Sequence, residues 1–131
     1  MKLSILIIGI LVLNILNASD VRVDKESDLV WQDNKIIIQE DWTSAISYCK
    51  ELSLGGYQNW RLPEIDELMS ISDKNNYSPA IKKYFKYTKN DYYWTITAYT
   101  SDISQAWILN FINGSASYDK KSTRYWVRCI R

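Results

Sequence analysis

Histidine is absent from all 131 residues. A Ser/His or Cys/His catalytic pair is therefore impossible. Charge of either sign is not in excess, since sixteen Lys and Arg face fifteen Asp and Glu. Such a balance argues against nucleic acid or an anionic membrane as the main partner. Internal repeats, low-complexity tracts and linkers are also missing, so the chain reads as one domain of ordinary size. Apolar runs are short. The longest, residues 3–13 with Ile15 and Leu16 beyond Asn14, falls below the ~20 residues that a membrane span needs. Cysteine occurs twice only, at Cys49 and Cys129.

That apolar run sits where an export signal would. Lys2 supplies a positive start, the apolar residues follow, and Asn17-Ala18-Ser19 offers small residues before the first acid, Asp20. This order predicts a secretory signal peptide over residues 1–19 and a single exported domain over residues 20–131, periplasmic or at the cell surface. No cysteine lies near the cleavage site, so a lipid anchor is not expected, nor is an integral membrane segment after cleavage. Export changes how the cysteines read. In an oxidising compartment one isolated pair is most economically a disulfide, with two free thiols as the rival.

Aromatic residues are plentiful: six Trp and ten Tyr. Such rings bury large areas and are also favoured at binding surfaces. Their distribution predicts an α+β order. Residues 21–23 and 29–32 read as strands, and residues 36–38 continue extended. Asp41 can cap a helix in which Trp42, Ala45, Ile46, Cys49 and Leu52 form one stripe, ended by Gly55-Gly56. Pro63 enters a second helix with Glu64, Asp66 and Glu67 at the positive end of its dipole; Ile65, Leu68, Met69 and Ser72 mark its inner side. Residues 72–91 read as irregular, anchored at Pro79 and Phe85. Strands follow at residues 92–97, 106–111, 115–118 and 125–130, with Asn113-Gly114 as a two-residue hairpin signal.

An ordered series of motifs then carries a resemblance: Leu29-Val30-Trp31-Gln32, Trp42 to Cys49, Asn59-Trp60-Arg61-Leu62-Pro63, Tyr93-Trp94-Thr95, Ala106-Trp107 and Val127-Arg128-Cys129-Ile130-Arg131. It resembles the Lcl C-terminal domain, a bacterial family of largely unknown function named after the C-terminal region of a collagen-like surface adhesin. The resemblance implies a C-type lectin-like fold, with two helices packed on a twisted antiparallel sheet and one long-range disulfide from the first helix to the last strand. That agrees with pairing Cys49 to Cys129. It does not imply sugar binding. The calcium-dependent lectins of this fold use Glu-Pro-Asn or Gln-Pro-Asp and Trp-Asn-Asp, and none of these tripeptides occurs here. No metal or cofactor is therefore expected.

Trp94, Tyr99, Trp107 and Tyr118 are the best candidates for an aromatic ligand surface, because their strands could share one sheet. Core packing is the favoured competing role for the tryptophans among them, and for Trp60. Arg61 could bind an anion or pair internally with Glu67. Glu64, Asp66 and Glu67 read as helix-start acids rather than cation ligands, and Asp66 and Glu67 point in different directions for acid/base work. Lys120-Lys121 reads as a solvated turn. The Asn-X-Ser patterns at Asn17 and Asn113 are weak glycosylation signals. Three functions fit: a non-catalytic exported module binding an unknown protein or glycan, a structural subunit of an envelope assembly, or an enzyme acting on an envelope polymer.

Overall fold

The computed structural model describes residues 20–131. The expected leader, residues 1–19, and its Asn17 lie outside the described residues. Two sheets are present. Strands β1 (Val21–Val23) and β2 (Val30–Gln32) pair antiparallel. The larger sheet has the order β3-β7-β4-β5-β6, with β3 Gln39–Glu40, β4 Tyr92–Ala98, β5 Gln105–Asn110, β6 Ser115–Lys120 and β7 Tyr125–Trp126. Helices α1 (Trp42–Glu51) and α2 (Ile65–Ile71) complete the α+β fold. The sheet is not wholly antiparallel as expected. β4 and β7 run parallel through Tyr93↔Trp126, so the sheet is mixed.

Each helix forms where the sequence favours it, and α1 stops early. The Asp41 carboxylate accepts the Ser44 N–H at 2.8 Å, satisfying one of the free donors of the first turn. Ala45 and Cys49 of the stripe are buried, and Trp42, Ile46 and Leu52 pack beside them. α1 ends at Glu51, before Gly55-Gly56. Those glycines instead form a tight turn with φ of 61° and 79°, closed by paired bonds between Leu54 and Tyr57, the geometry of a hairpin that demands two positive φ values. α2 starts after Pro63, at Ile65, whose N–H donates to Thr97 Oγ1 at 2.9 Å. Leu68 and Ile71 face inward, while Met69, expected inside, is 45% exposed.

The sheet carries a core on each face. Trp94, Ala106 and Ile108 meet α1, Cys49 and Cys129 on one side. Tyr93, Leu109 and Phe111 meet Leu68 and Ile71 of α2 on the other. Neighbours along a strand point to opposite faces, so Tyr93 and Trp94 serve different cores. The residues 111–114 connect β5 to β6 in four residues rather than two. Phe111 is fully buried, and only Gly114 takes a positive φ, 79°. The hairpin signal at Asn113 acts through its side chain, which accepts the Ser115 N–H at 3.0 Å.

The Cys49–Cys129 disulfide is formed. Its second cysteine does not lie in a long last strand, since β7 stops at Trp126. Beyond it, the Cys129 N–H donates to Gln32 Oε1, and Ile130 bridges Trp31 and Arg61. Residues 72–91 are irregular, as expected. Phe85 anchors them, but Ala80 and Ile81 are buried where Pro79 is only half-buried.

Candidate functional site

Three of the four expected aromatic residues meet at one end of the large sheet. Trp107 on β5 and Tyr118 on β6 are cross-strand partners. Tyr99 follows β4 and folds back, so that its ring stacks on Tyr118 with centroids 3.8 Å apart and planes 9° apart. Trp107 meets both edge-on, at 5.8 Å from Tyr99 and 5.5 Å from Tyr118. Edge-to-face contacts at these distances are a favoured arrangement of such rings. Tyr118 remains 42% exposed. A hydrogen bond with Tyr99 raises the pKa of its phenol above the ordinary value.

Trp94 does not join them. It is fully buried, and its indole N–H donates to the Glu40 carbonyl at 2.8 Å. Its direct neighbour across the ladder is Ile108, not Trp107, so its ring lies on the disulfide side of the sheet. As a ligand contact Trp94 is corrected to a core residue.

The turn beside the cluster, residues 99–105, is tightly built. Tyr99 N–H donates to Gln105 C=O, and Asp102 N–H to Tyr99 C=O. The Asp102 carboxylate accepts the Ser104 hydroxyl at 2.6 Å, the Ser104 N–H at 3.0 Å and the Gln105 amide at 3.1 Å. These bonds, the Ser104 hydroxyl first, hold its pKa below the usual carboxylate range. The turn displays Ile103, 74% exposed. Sequence reasoning did not single out Ile103; an apolar residue alone within a Thr-Ser-Asp-Ile-Ser stretch was the available signal.

The remaining polar groups are structural. Arg61 forms a two-pronged pair with Glu67 at 2.7 and 2.8 Å. Glu67 also accepts the Glu64 N–H, and Glu64 accepts the Thr97 hydroxyl. The acids expected at this helix start thus serve the helix, and Arg61 takes the internal partner. Asp33 and Arg128 form a buried cluster that sequence reasoning missed. Asp33 lies 3.5 Å from Arg128 and 3.2 Å from Arg22, and accepts the N–H groups of Lys86 and Tyr87. The cavity beside it holds about 10 Å³, room for one water, so the cluster is a structural tie and not a ligand pocket. A shallow groove of about 300 Å³ runs over Ile46, Trp60, Leu62 and Ile96. The Arg61 and Glu64 side chains at its rim are already engaged. Among the described residues, no group of three or more His, Cys, Asp or Glu is placed to hold a metal ion, and no helix is long and apolar enough to cross a membrane.

The family model of the Lcl C-terminal domain matches residues 20–131. The chain belongs to that family. No curated protein matches it.

Proposed function

We propose that this member of the Lcl C-terminal domain family is an exported, non-catalytic binding module, engaging a protein or glycan partner through Tyr99, Trp107, Tyr118 and the turn 99–105. The observation that carries this reading is the convergence of the three rings beside an exposed apolar residue, Ile103. Tyrosine offers a flat apolar face and a hydroxyl at low conformational cost, which suits recognition of extended polar partners. Position in the periplasm or at the cell surface is supported by the disulfide, which belongs to oxidising compartments. The same bond, tying α1 to the chain end, supports reading the fold as C-type lectin-like.

A glycan array and immobilised envelope-protein extracts, probed with the purified protein, test the reading. Tyr99→Ala or Tyr118→Ala is expected to weaken any retained ligand by more than about 1 kcal/mol, the scale of an interface hot spot. Thermal stability should change little for Tyr118→Ala, because that ring is exposed, and more for the half-buried Tyr99. A ligand bound with unchanged affinity by both variants would place the site elsewhere. Hydrolysis of an envelope polymer would instead support the enzyme reading.

A further inference from the structure

The large sheet has two unlike edges. β3 is two residues long, and short edges are one way a sheet avoids pairing with other chains. β6 has six residues, contains no proline, and keeps an unbroken register with β5 from Gln105↔Lys120 to Asn110↔Ser115. Among the described residues nothing pairs with its outer side.

Hydrogen-bond direction identifies what that side presents. The Lys121 N–H donates to the Ser104 carbonyl at 2.9 Å, which makes residues 104 and 121 a bonded pair. Alternation along an antiparallel ladder then turns Ser115, Ser117 and Asp119 toward β5, and Ala116, Tyr118 and Lys120 outward. Lys120 is already served, its N–H by Asp119 Oδ1 at 2.7 Å and its carbonyl by the Thr123 N–H at 2.9 Å. Ala116 and Tyr118 therefore present two N–H and two C=O groups at strand spacing. The approach is open. Ser115, Ala116 and Ser117 are small, and the Tyr118 ring turns inward onto Tyr99.

We propose that β6 pairs with β6 of a second copy of this chain, antiparallel about Ser117, joining two sheets into one. In this register Ala116 opposes Tyr118 of the other copy, and the reverse, so all four outward groups of each copy are matched. A shift of two residues either way sets an outward pair against Lys120 or Gly114, whose N–H groups are already bonded to Asp119 Oδ1 and to the Asn110 carbonyl. Ser117 faces Ser117, Asp119 faces Ser115 and Lys120 faces Gly114, so no like charges meet. The contact is isologous, the self-complementary type that closes at two copies. Its two-fold axis stands perpendicular to the sheet and puts both Tyr99–Trp107–Tyr118 clusters on one face. The pairing stands whether or not those clusters bind a ligand.

Sedimentation equilibrium of the purified protein over a wide concentration range tests this. The wild type is expected to show a monomer–dimer equilibrium. Ala116→Pro removes an outward N–H without touching the β5 ladder. It should weaken the dimer by about tenfold or more, since symmetry removes that donor twice, with the melting profile kept. Ser117→Asp and Ser117→Lys place like charges across the axis, so each alone should be monomeric and their mixture should form a heterodimer. A wild type that stays monomeric, even one capturing an unrelated extended peptide, would overturn the proposal. So would a dimer indifferent to Ala116→Pro, or a mixture of the charged variants that stays monomeric.

Discussion

Glu67 performs two tasks with one carboxylate. It pairs with Arg61, and it accepts the Glu64 N–H at the start of α2. Glutamine at this position keeps a capping oxygen but loses the charge. The pair is partly exposed, with 48% of the Arg61 side chain open to solvent, so screening limits its worth to about 0.5–1 kcal/mol. Glu67→Gln should cost that amount near neutral pH, and Glu67→Ala about 1 kcal/mol more through the lost cap. The sign with pH follows from the Arg61 bond, which lowers the folded-state pKa of Glu67. A lowered pKa contributes stability that is complete above the unfolded value of about 4.3 and is lost as pH falls through the folded value. Thermal melts of wild type and Glu67→Gln should therefore differ by a constant amount above about pH 5 and converge in stronger acid. A gap that persists under acid would show that packing, not charge, sets the difference. Trp94 and Tyr118 form a second residue-scale contrast. Trp94→Ala removes a fully buried ring and should cost about 3–5 kcal/mol, whereas Tyr118→Ala loses one exposed stack worth about 1 kcal/mol. Denaturant titrations of the two variants check the contrast, and equal costs would contradict the surface placement of Tyr118.

At the scale of elements, the segment 72–91 is held by contacts far from it in sequence. The Asp33 carboxylate accepts the N–H groups of Lys86 and Tyr87, while Arg128 donates to the Tyr87 carbonyl and to Thr88 Oγ1 at 2.9 Å. Arg128 also lies over the Phe85 ring, 4.8 Å from its centroid. Removing Asp33 takes the paired carboxylate from two arginines and the acceptor from two amides. Asp33→Ala should therefore cost about 3–5 kcal/mol, the usual result of breaking a buried pair. Amide exchange should quicken first at Lys86 and Tyr87. Combining it with Arg128→Met should recover part of the loss, because the uncompensated charge goes too. Unchanged exchange at residues 86 and 87 would show that the segment is held by Ile81 and Phe85 alone. This tie was illegible in the sequence, where Asp33 and Arg128 stand 95 positions apart and each has the look of a surface charge. Other features were legible for local reasons. The α1 stripe and the Asp41 cap follow from spacing and short-range hydrogen bonding, and the disulfide from a single pair of cysteines behind an export-like segment. Tyr99, Trp107 and Tyr118 were legible as neighbours because the strands they mark could share one sheet, and Tyr99 and Tyr118 adjoin turn-like stretches. Trp94 was misplaced because a two-sided core makes adjacent strand residues equally buried, and period-2 alternation then says nothing of which face meets solvent.

For the whole molecule, the Cys49–Cys129 bond closes a loop with a separation of 80 residues. The loop contains α2 and all of β4 to β7, and both cysteines are fully buried. Beyond it the chain end is clasped by main-chain bonds, Val30 with Arg131 and Arg61 with Ile130, at 2.7–2.9 Å. If cross-linking acts mainly by restricting the unfolded chain, a loop of this length is worth about 4–5 kcal/mol. That is comparable with the entire stability of a modest domain. If the clasped chain end and the packed core already hold the two segments together, they keep the folded state intact but cannot restrict the unfolded one, so the loss should still appear in full. Replacing both cysteines by serine is expected to lower the melting temperature by about 20 °C, taking about 4–8 °C per kcal/mol for a domain of this size. Part of that fall comes from two hydroxyls placed in an apolar core, so a Cys49→Ala/Cys129→Ala variant and the reduced wild type belong beside it. The three should agree within a few degrees if the cross-link dominates. A double-alanine variant that melts within about 5 °C of the oxidised wild type would contradict the account in which the bond acts by restricting the unfolded chain.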